Sequence, residues 1–261
     1  MIIGQYTITS LETITKYDLQ TGDFCFLMDE LQNASIANSE DKQDITGKGG
    51  RKITSLKRNK ACTVSGTSGL IVNGLMEEQT GGAFSDSETT IRYMDYLTVN
   101  GDKATTSYAA TGTAGDEVGV VFVHNGDGTL GTKYTQDATA GAGKFAYNPE
   151  SKEISFNSGD VADGTEIFVC YDRKVNGSTL KNMSDVYSKK GEYFIDCLGE
   201  DKCGKVFHIQ IHIPKGDMSG NFEIALGENQ AVHNFEIEAL AGACGTSGAF
   251  WEYTVFTDDA A

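Results

Sequence analysis

Proline is nearly absent, with two in 261 residues, and tryptophan occurs once. Basic residues are also scarce: 21 Lys and Arg stand against 37 Asp and Glu, for a net charge of −16. A general nucleic-acid binder needs a basic footprint, so this balance argues against that class. It favours solubility and repels any polyanion that comes near. No apolar run approaches the roughly 18 residues of a membrane-spanning helix. The opening MIIGQYTITS has neither a charged leading region nor a long apolar stretch, so no signal peptide is expected. Without an export signal, the six scattered cysteines (Cys25, Cys62, Cys170, Cys197, Cys203 and Cys244) read as reduced core or surface thiols.

Signatures of chemistry are missing too. SGTSGL around Ser68 and CGTSGA around Ser247 both fail the GxSxG pattern of a nucleophile elbow. TGKGGRK lacks phosphate-loop spacing, and HNGDGTLG, with Asp127, lacks the spacing and terminal Glu of a calcium loop. Cys197 and Cys203 are not spaced as CxxC and have no matching second pair. His124 and His233 have no partner that sequence can identify, and no pair among the many carboxylates stands out as a glycosidase dyad. No catalytic, cofactor-binding or metal-binding residue is therefore assigned, and the chain does not read as an enzyme.

Two histidines invite a closer look. In VFHIQIHIPKG, His208 and His212 lie four apart, a spacing that pairs imidazoles on a helix. Their neighbours obey period two instead: Phe207, Ile209, Ile211 and Ile213 alternate with His208, Gln210 and His212. Four residues along a strand span about 13 Å, too far for one metal to hold both rings. The stretch reads as a half-buried strand stopped by Pro214 and Gly216.

Such alternation fills the chain. GQYTITSL, GDFCFLM, KACTVSGT, TIRYMDYLTV, EVGVVFVHN, TEIFVCYD, GEYFIDCL, NFEIALG, NFEIEAL and FWEYTVF all read as strands separated by turn signals, which suits a β-sandwich or barrel. One amphipathic helix of about three turns is expected near 69–80, with Ser68 as N-cap and Gly81–Gly82 as the stop. The stretch 99–178 is rich in Gly, Ala, Thr and Asp and holds its own hairpin signals, HNGDGT and VADGTE. This predicts an inserted β module at 99–178 on a host domain built from 1–98 and 179–261, with one continuous sandwich as the alternative. Trp251, among the aromatic residues of AFWEYTVF, is expected to pack under the sheet.

Charge is unevenly placed. KGGRKITSLKRNK concentrates Lys48, Arg51, Lys52, Lys57, Arg58 and Lys60 in one loop, suited to an acidic patch on a neighbouring subunit. After Lys215 no Lys or Arg occurs, while Asp217, Glu223, Glu228, Glu236, Glu238, Glu252, Asp258 and Asp259 follow. Phe222, Ile224 and Leu226 alternate with Glu223, and Phe235 and Ile237 alternate with Glu236 and Glu238. Two adjacent strands would then turn an apolar face to a core and a one-sign carboxylate face to water.

The opening LETITKYDLQTGDFCFLMDELQNASIANSEDKQDITGKGGRKITSLKRNKACTVSGTSGL resembles the N-terminal half of major tail tube proteins of tailed bacteriophages. The ending GDMSGNFEIALGENQAVHNFEIEALAG is similar to that family's paired closing strands, and the likeness covers about two-thirds of the chain. The six cysteines and the chain length depart from the family, and an inserted module would explain the length. The resemblance implies a mainly β, tail-tube-like sandwich with one flanking α-helix and an inserted β module. It implies a self-assembling structural virion protein, made in the bacterial cytoplasm, whose copies form stacked hexameric rings with other tail proteins as partners. Genomic DNA would pass transiently through a lumen lined by Glu223, Glu236 and Glu238, while the basic loop 48–60 meets the adjacent ring. Another virion β protein, such as a capsid decoration or baseplate component, is the alternative, with a carbohydrate-binding module or β-rich hydrolase behind it.

Overall fold

Alternating residues become strands along most of the chain in a computed structural model that describes residues 4–225, 232–241 and 248–257. In chain order the elements are β1 (Tyr6–Asp18), β2 (Phe24–Met28), β3 (Leu31–Thr46), β4 (Lys52–Ser68) and α1 (Asn73–Thr80), then β5 (Ser85–Thr98) and β6 (Lys103–Thr105). There follow β7 (Val120–His124), β8 (Leu130–Gln136), β9 (Lys144–Asn148), β10 (Glu153–Phe156) and β11 (Glu166–Thr179). The last are β12 (Lys190–Asp201), β13 (Val206–Met218), β14 (His233–Ala239) and β15 (Glu252–Phe256). The chain is mainly β, with one α-helix and two sheets. It divides into two compact units, one of residues 1–84 and 180–261, the other of residues 85–179.

The first unit holds a sheet in the order β2-β1-β12-β13-β14-β4-β3. The terminal strand β15 shares the edge of β13 with β14, pairing at His208–His212 while β14 pairs at Gly216–Met218. The sheet closes on one core: Ile36 of β3 and Val64 of β4 pack with Ile14, Ile195, Ile211, Phe235 and Ile237. Each such side chain taken from water stabilises the unit by about 1.5–3 kcal/mol. Trp251 packs against this cluster, and its Nε1 donates to Asn38 Oδ1 at 3.2 Å.

β13 keeps the period-two reading, with Phe207, Ile209, Ile211 and Ile213 buried. Pro214 does not stop it. Ile213 pairs with Tyr193 and Gly216 with Gly191, so Pro214 and Lys215 together oppose Glu192 in a bulge. A bulge leaves one residue unpaired, which accommodates the missing proline N–H, and the strand runs on to Met218. On the other face His212 stacks on Phe194 at 4.6 Å and also meets Glu192 at 2.6 Å. His208 stacks on Phe256 at 5.4 Å.

The helix starts later than its N-cap signal suggests. Ser68 is the last residue of β4, held in the ladder opposite both His233 and Leu31. Its hydroxyl accepts from Leu70 N at 3.2 Å, turning the chain rather than capping it. α1 therefore begins at Asn73, and it ends where expected, at Gly81 with φ +73°. A Cβ there would strike the Tyr187 carbonyl, so the left-handed position has no room for a side chain.

Polar groups seat this short helix. The Lys16 ammonium, fully buried on β1, pairs with the buried Glu78 carboxylate of α1, and Lys189 Nζ lies 3.5 Å from its other oxygen. Gly191 leaves the space that the Lys16 stem fills. Burial lowers the Lys16 pKa from its ordinary 10.5 to about 8. Beside it, Gln79 bonds His233 Nε2 at 2.7 Å and the Asn234 carbonyl at 2.9 Å. Burial also lowers the His233 pKa, which keeps that enclosed ring neutral near pH 7.

The second unit holds a sheet in the order β5-β11-β7-β8-β9-β10-β6. β5 and β11 pair without a slip from Ser85–Thr179 to Thr98–Glu166. Val121, Phe145, Ile154, Ile167, Val169 and Tyr171 fill its core. Tyr171 donates its hydroxyl to the buried Asp95 at 2.8 Å.

Candidate assembly surfaces

The carboxylates of the closing strand stand where alternation puts them. On β14, Phe235, Ile237 and Ala239 are buried, and Glu236 and Glu238 are exposed between them. Across the ladder Glu236 faces Ser65 and Glu238 faces Thr63 on β4; these face Ser35 and Ala37 on β3. The result is a surface of small side chains from which two glutamates rise. Among the described residues neither has a basic partner. One strand away Asp217, opposite Glu238, meets Lys190 at 3.5 Å.

Glu223 is exposed and joins the same region through its backbone, its N donating to Asn234 Oδ1 at 2.6 Å. Ile224 forms an isolated bridge with His233, and the Phe222 ring lies 5.7 Å from the His233 ring, so the segment meets the start of β14. Leu226, Glu228, Cys244, Ser247, Asp258 and Asp259 lie outside the described residues. The other five cysteines carry free thiols, and burial raises the Cys197 pKa to about 11.

The basic loop is the outer half of one long hairpin. β3 and β4 pair from Leu31–Ser68 out to Thr46–Lys52 around a tight turn at 48–50. Near the core Ile36 and Val64 anchor it. Farther out, every residue from Ala37 to Thr46 is exposed. Pairing reveals what the run of basic residues conceals. Lys52 meets Asp44 at 2.6 Å, Lys57 meets Glu40 at 2.6 Å, and Arg58 lies opposite Asp41. The Lys57 ammonium holds the Glu40 carboxyl below its usual range. Residues 39–60 contain seven basic and three acidic side chains, so the arm stays positive in an acidic protein. Lys48 and Arg51 at its tip have no acidic partner among the described residues, and Lys60 lies near its middle. Ile53, 69% exposed, adds an apolar contact at the tip.

Among the described residues the ends of the first sheet are open edges, as is the short strand β15, which pairs with β13 alone. β2 and β3 end the first sheet, and each pairs on one side only among the described residues. Phe24 and Leu27 on β2 are exposed. About half the backbone donors and acceptors of an edge strand point outward, and β3 presents them along 16 residues. Beneath it a cleft of about 420 Å³ is lined by Ile36, Val64, Ile195, Ile211 and Trp251.

The YomU/Tube protein family matches this chain over residues 6–252, and no curated protein matches it.

Proposed function

The chain belongs to the YomU/Tube protein family, and from that premise we propose that it is the tail tube subunit of a bacteriophage. Copies join through the open edges of β2 and β3 into rings, taken as hexameric, and the rings stack. The observation that carries this reading is the 16-residue β3 edge, left open among the described residues on an arm that extends past its own core. Such an edge invites aggregation unless another chain closes it.

Glu223, Glu236 and Glu238 line the lumen in this account. Duplex DNA carries a charge about every 1.7 Å, so a basic lining would grip it at many points. A face of Ser, Thr, Ala and unpaired glutamates gives it no such hold. The arm carrying Lys48, Arg51, Lys52, Lys57, Arg58 and Lys60 docks on an acidic rim of the adjacent ring, where the overall charge of −16 supplies attraction. Residues 85–179 are a module inserted into the tube-forming unit. The protein is a virion component without catalytic activity, and its partners are its own copies, other tail proteins and passing genomic DNA. Negative-stain microscopy of the purified chain tests the proposal: rings or tubes are expected, and a monomer at high concentration in every salt condition refutes it.

A further inference from the structure

The outer face of the 85–179 sheet carries a feature that tube assembly does not use. On its inner face Ile167, Val169 and Tyr171 of β11 enter the core. On the outer face the register sets Tyr96 of β5 beside Phe168 of β11, Phe168 beside Phe122 of β7, and Phe122 beside Lys133 of β8. Three rings thus stand in a row across adjacent strands. Tyr96 and Phe168 are 5.5 Å apart, and the His124 ring meets the edge of Tyr96 at 5.0 Å. Met94 lies one step along the strand from Tyr96, and both are 60% exposed.

We propose that this aromatic row is a binding platform for a neutral polysaccharide. Pyranose rings present apolar C–H faces that stack on aromatic rings, while their hydroxyls seek polar groups at the rim. Strands repeat every 4.7–4.9 Å, close to the length of one sugar unit, so the row offers successive stacking positions. The rim supplies donors and acceptors: along the strands the His124–Glu166 pair at 2.7 Å lies two residues to one side of the row, and the Arg92–Asp172 pair at 2.9 Å lies four residues to the other. Lys133 lies 6.0 Å above the Phe122 ring.

Charge selects the occupant. Residues 85–179 contain fourteen acidic and seven basic side chains, so an anionic glycan or a second acidic copy meets repulsion. The charges beside the row balance in sign, Arg92 and Lys133 against Asp172 and Glu166, which leaves a face of little net charge for an uncharged partner. Exposed contiguous apolar surface of this kind marks a binding site more often than it decorates one.

This proposal does not depend on tube formation, and its test is separate. The full chain is run in native gels cast with dextran, mannan, galactan or a mixed-linkage β-glucan, with alginate as the anionic control. Retardation is expected in at least one neutral gel and not in alginate. Tyr96→Ala and Phe168→Ala should each weaken binding on the order of tenfold, and together abolish it, with an unchanged melting temperature because both rings lie outside the core. Free migration in every neutral gel, retardation in alginate alone, or retardation that survives the double substitution overturns the proposal. Concentration-dependent self-association that the same substitutions remove also overturns it, in favour of a second copy.

Discussion

Replacing Lys16 by methionine strips the buried Glu78 carboxylate of its main partner while keeping much of the stem. Glu78, 5% exposed, then keeps only Lys189, at 3.5 Å and itself on the surface. Breaking a buried pair from one side costs about 3–5 kcal/mol, because the remaining ion stays desolvated. Against a typical total of about 5–15 kcal/mol, that is a large share. The partial rescue by Lys189 places the expectation at the lower end, near 3 kcal/mol. Removing both charges, with Lys16→Met and Glu78→Leu together, should return stability to within about 1 kcal/mol of the parent or above it. Urea unfolding followed by tryptophan fluorescence reads this directly, since Trp251 is the sole tryptophan and packs on the core of the same unit. A Lys16→Met midpoint equal to that of the parent would refute the reasoning, as would a double variant weaker than the single one.

A buried histidine of the same unit sets a pH dependence. Burial lowers the His233 pKa from its ordinary 6.5, so as pH falls the unfolded chain takes up the extra proton first and stability from this group is lost in acid; His233→Asn should flatten that part of the urea midpoint profile. Reversing Glu236 and Glu238 to Lys should leave tubes intact in micrographs and impair genome release from phage carrying the change, and normal release would sink the lumen assignment. Lys48→Glu with Arg51→Glu should yield rings that stack poorly, most clearly at low salt where charge is least screened, and tubes of parental length would count against the docking arm. Gly81→Val meets the Tyr187 carbonyl at a left-handed position and should cost several kcal/mol in the same urea assay.

Alternation carried most of the fold. Ile209, Ile211 and Ile213 announce the buried face of β13 without any knowledge of their neighbours, because the pleat itself enforces period two. Local signals failed where a distant strand competes. Ser68 looks like an N-cap in isolation, but the ladder partners that retain it, His233 and Leu31, lie far away in sequence. Pro214 looks like a stop, and only the opposing Glu192 turns it into a bulge. Lys16 reads as an ordinary solvated lysine in ITKYD; its burial depends on the gap at Gly191 and a carboxylate 62 residues away. For the assembly surfaces, the identities of Glu236, Glu238 and the basic run were legible, while their partners were not. The acids Glu40, Asp41 and Asp44 sit in plain view before the basic run, yet only the hairpin register pairs them with it. The aromatic row on residues 85–179 was hidden for the same reason, since Tyr96, Phe122 and Phe168 align only once three strands are side by side.

Ser85 and Thr179 face one another as the outermost pair of β5 and β11, which puts entry to and exit from that unit about 5 Å apart. A chain that leaves and returns through so narrow a doorway makes its cargo interchangeable. The whole of 85–179 could be cut away and its stub sealed by a two-residue Asn-Gly turn, or traded for a foreign domain whose ends lie equally close. Such a doorway gives a lineage, or an engineer, a socket for new surface chemistry.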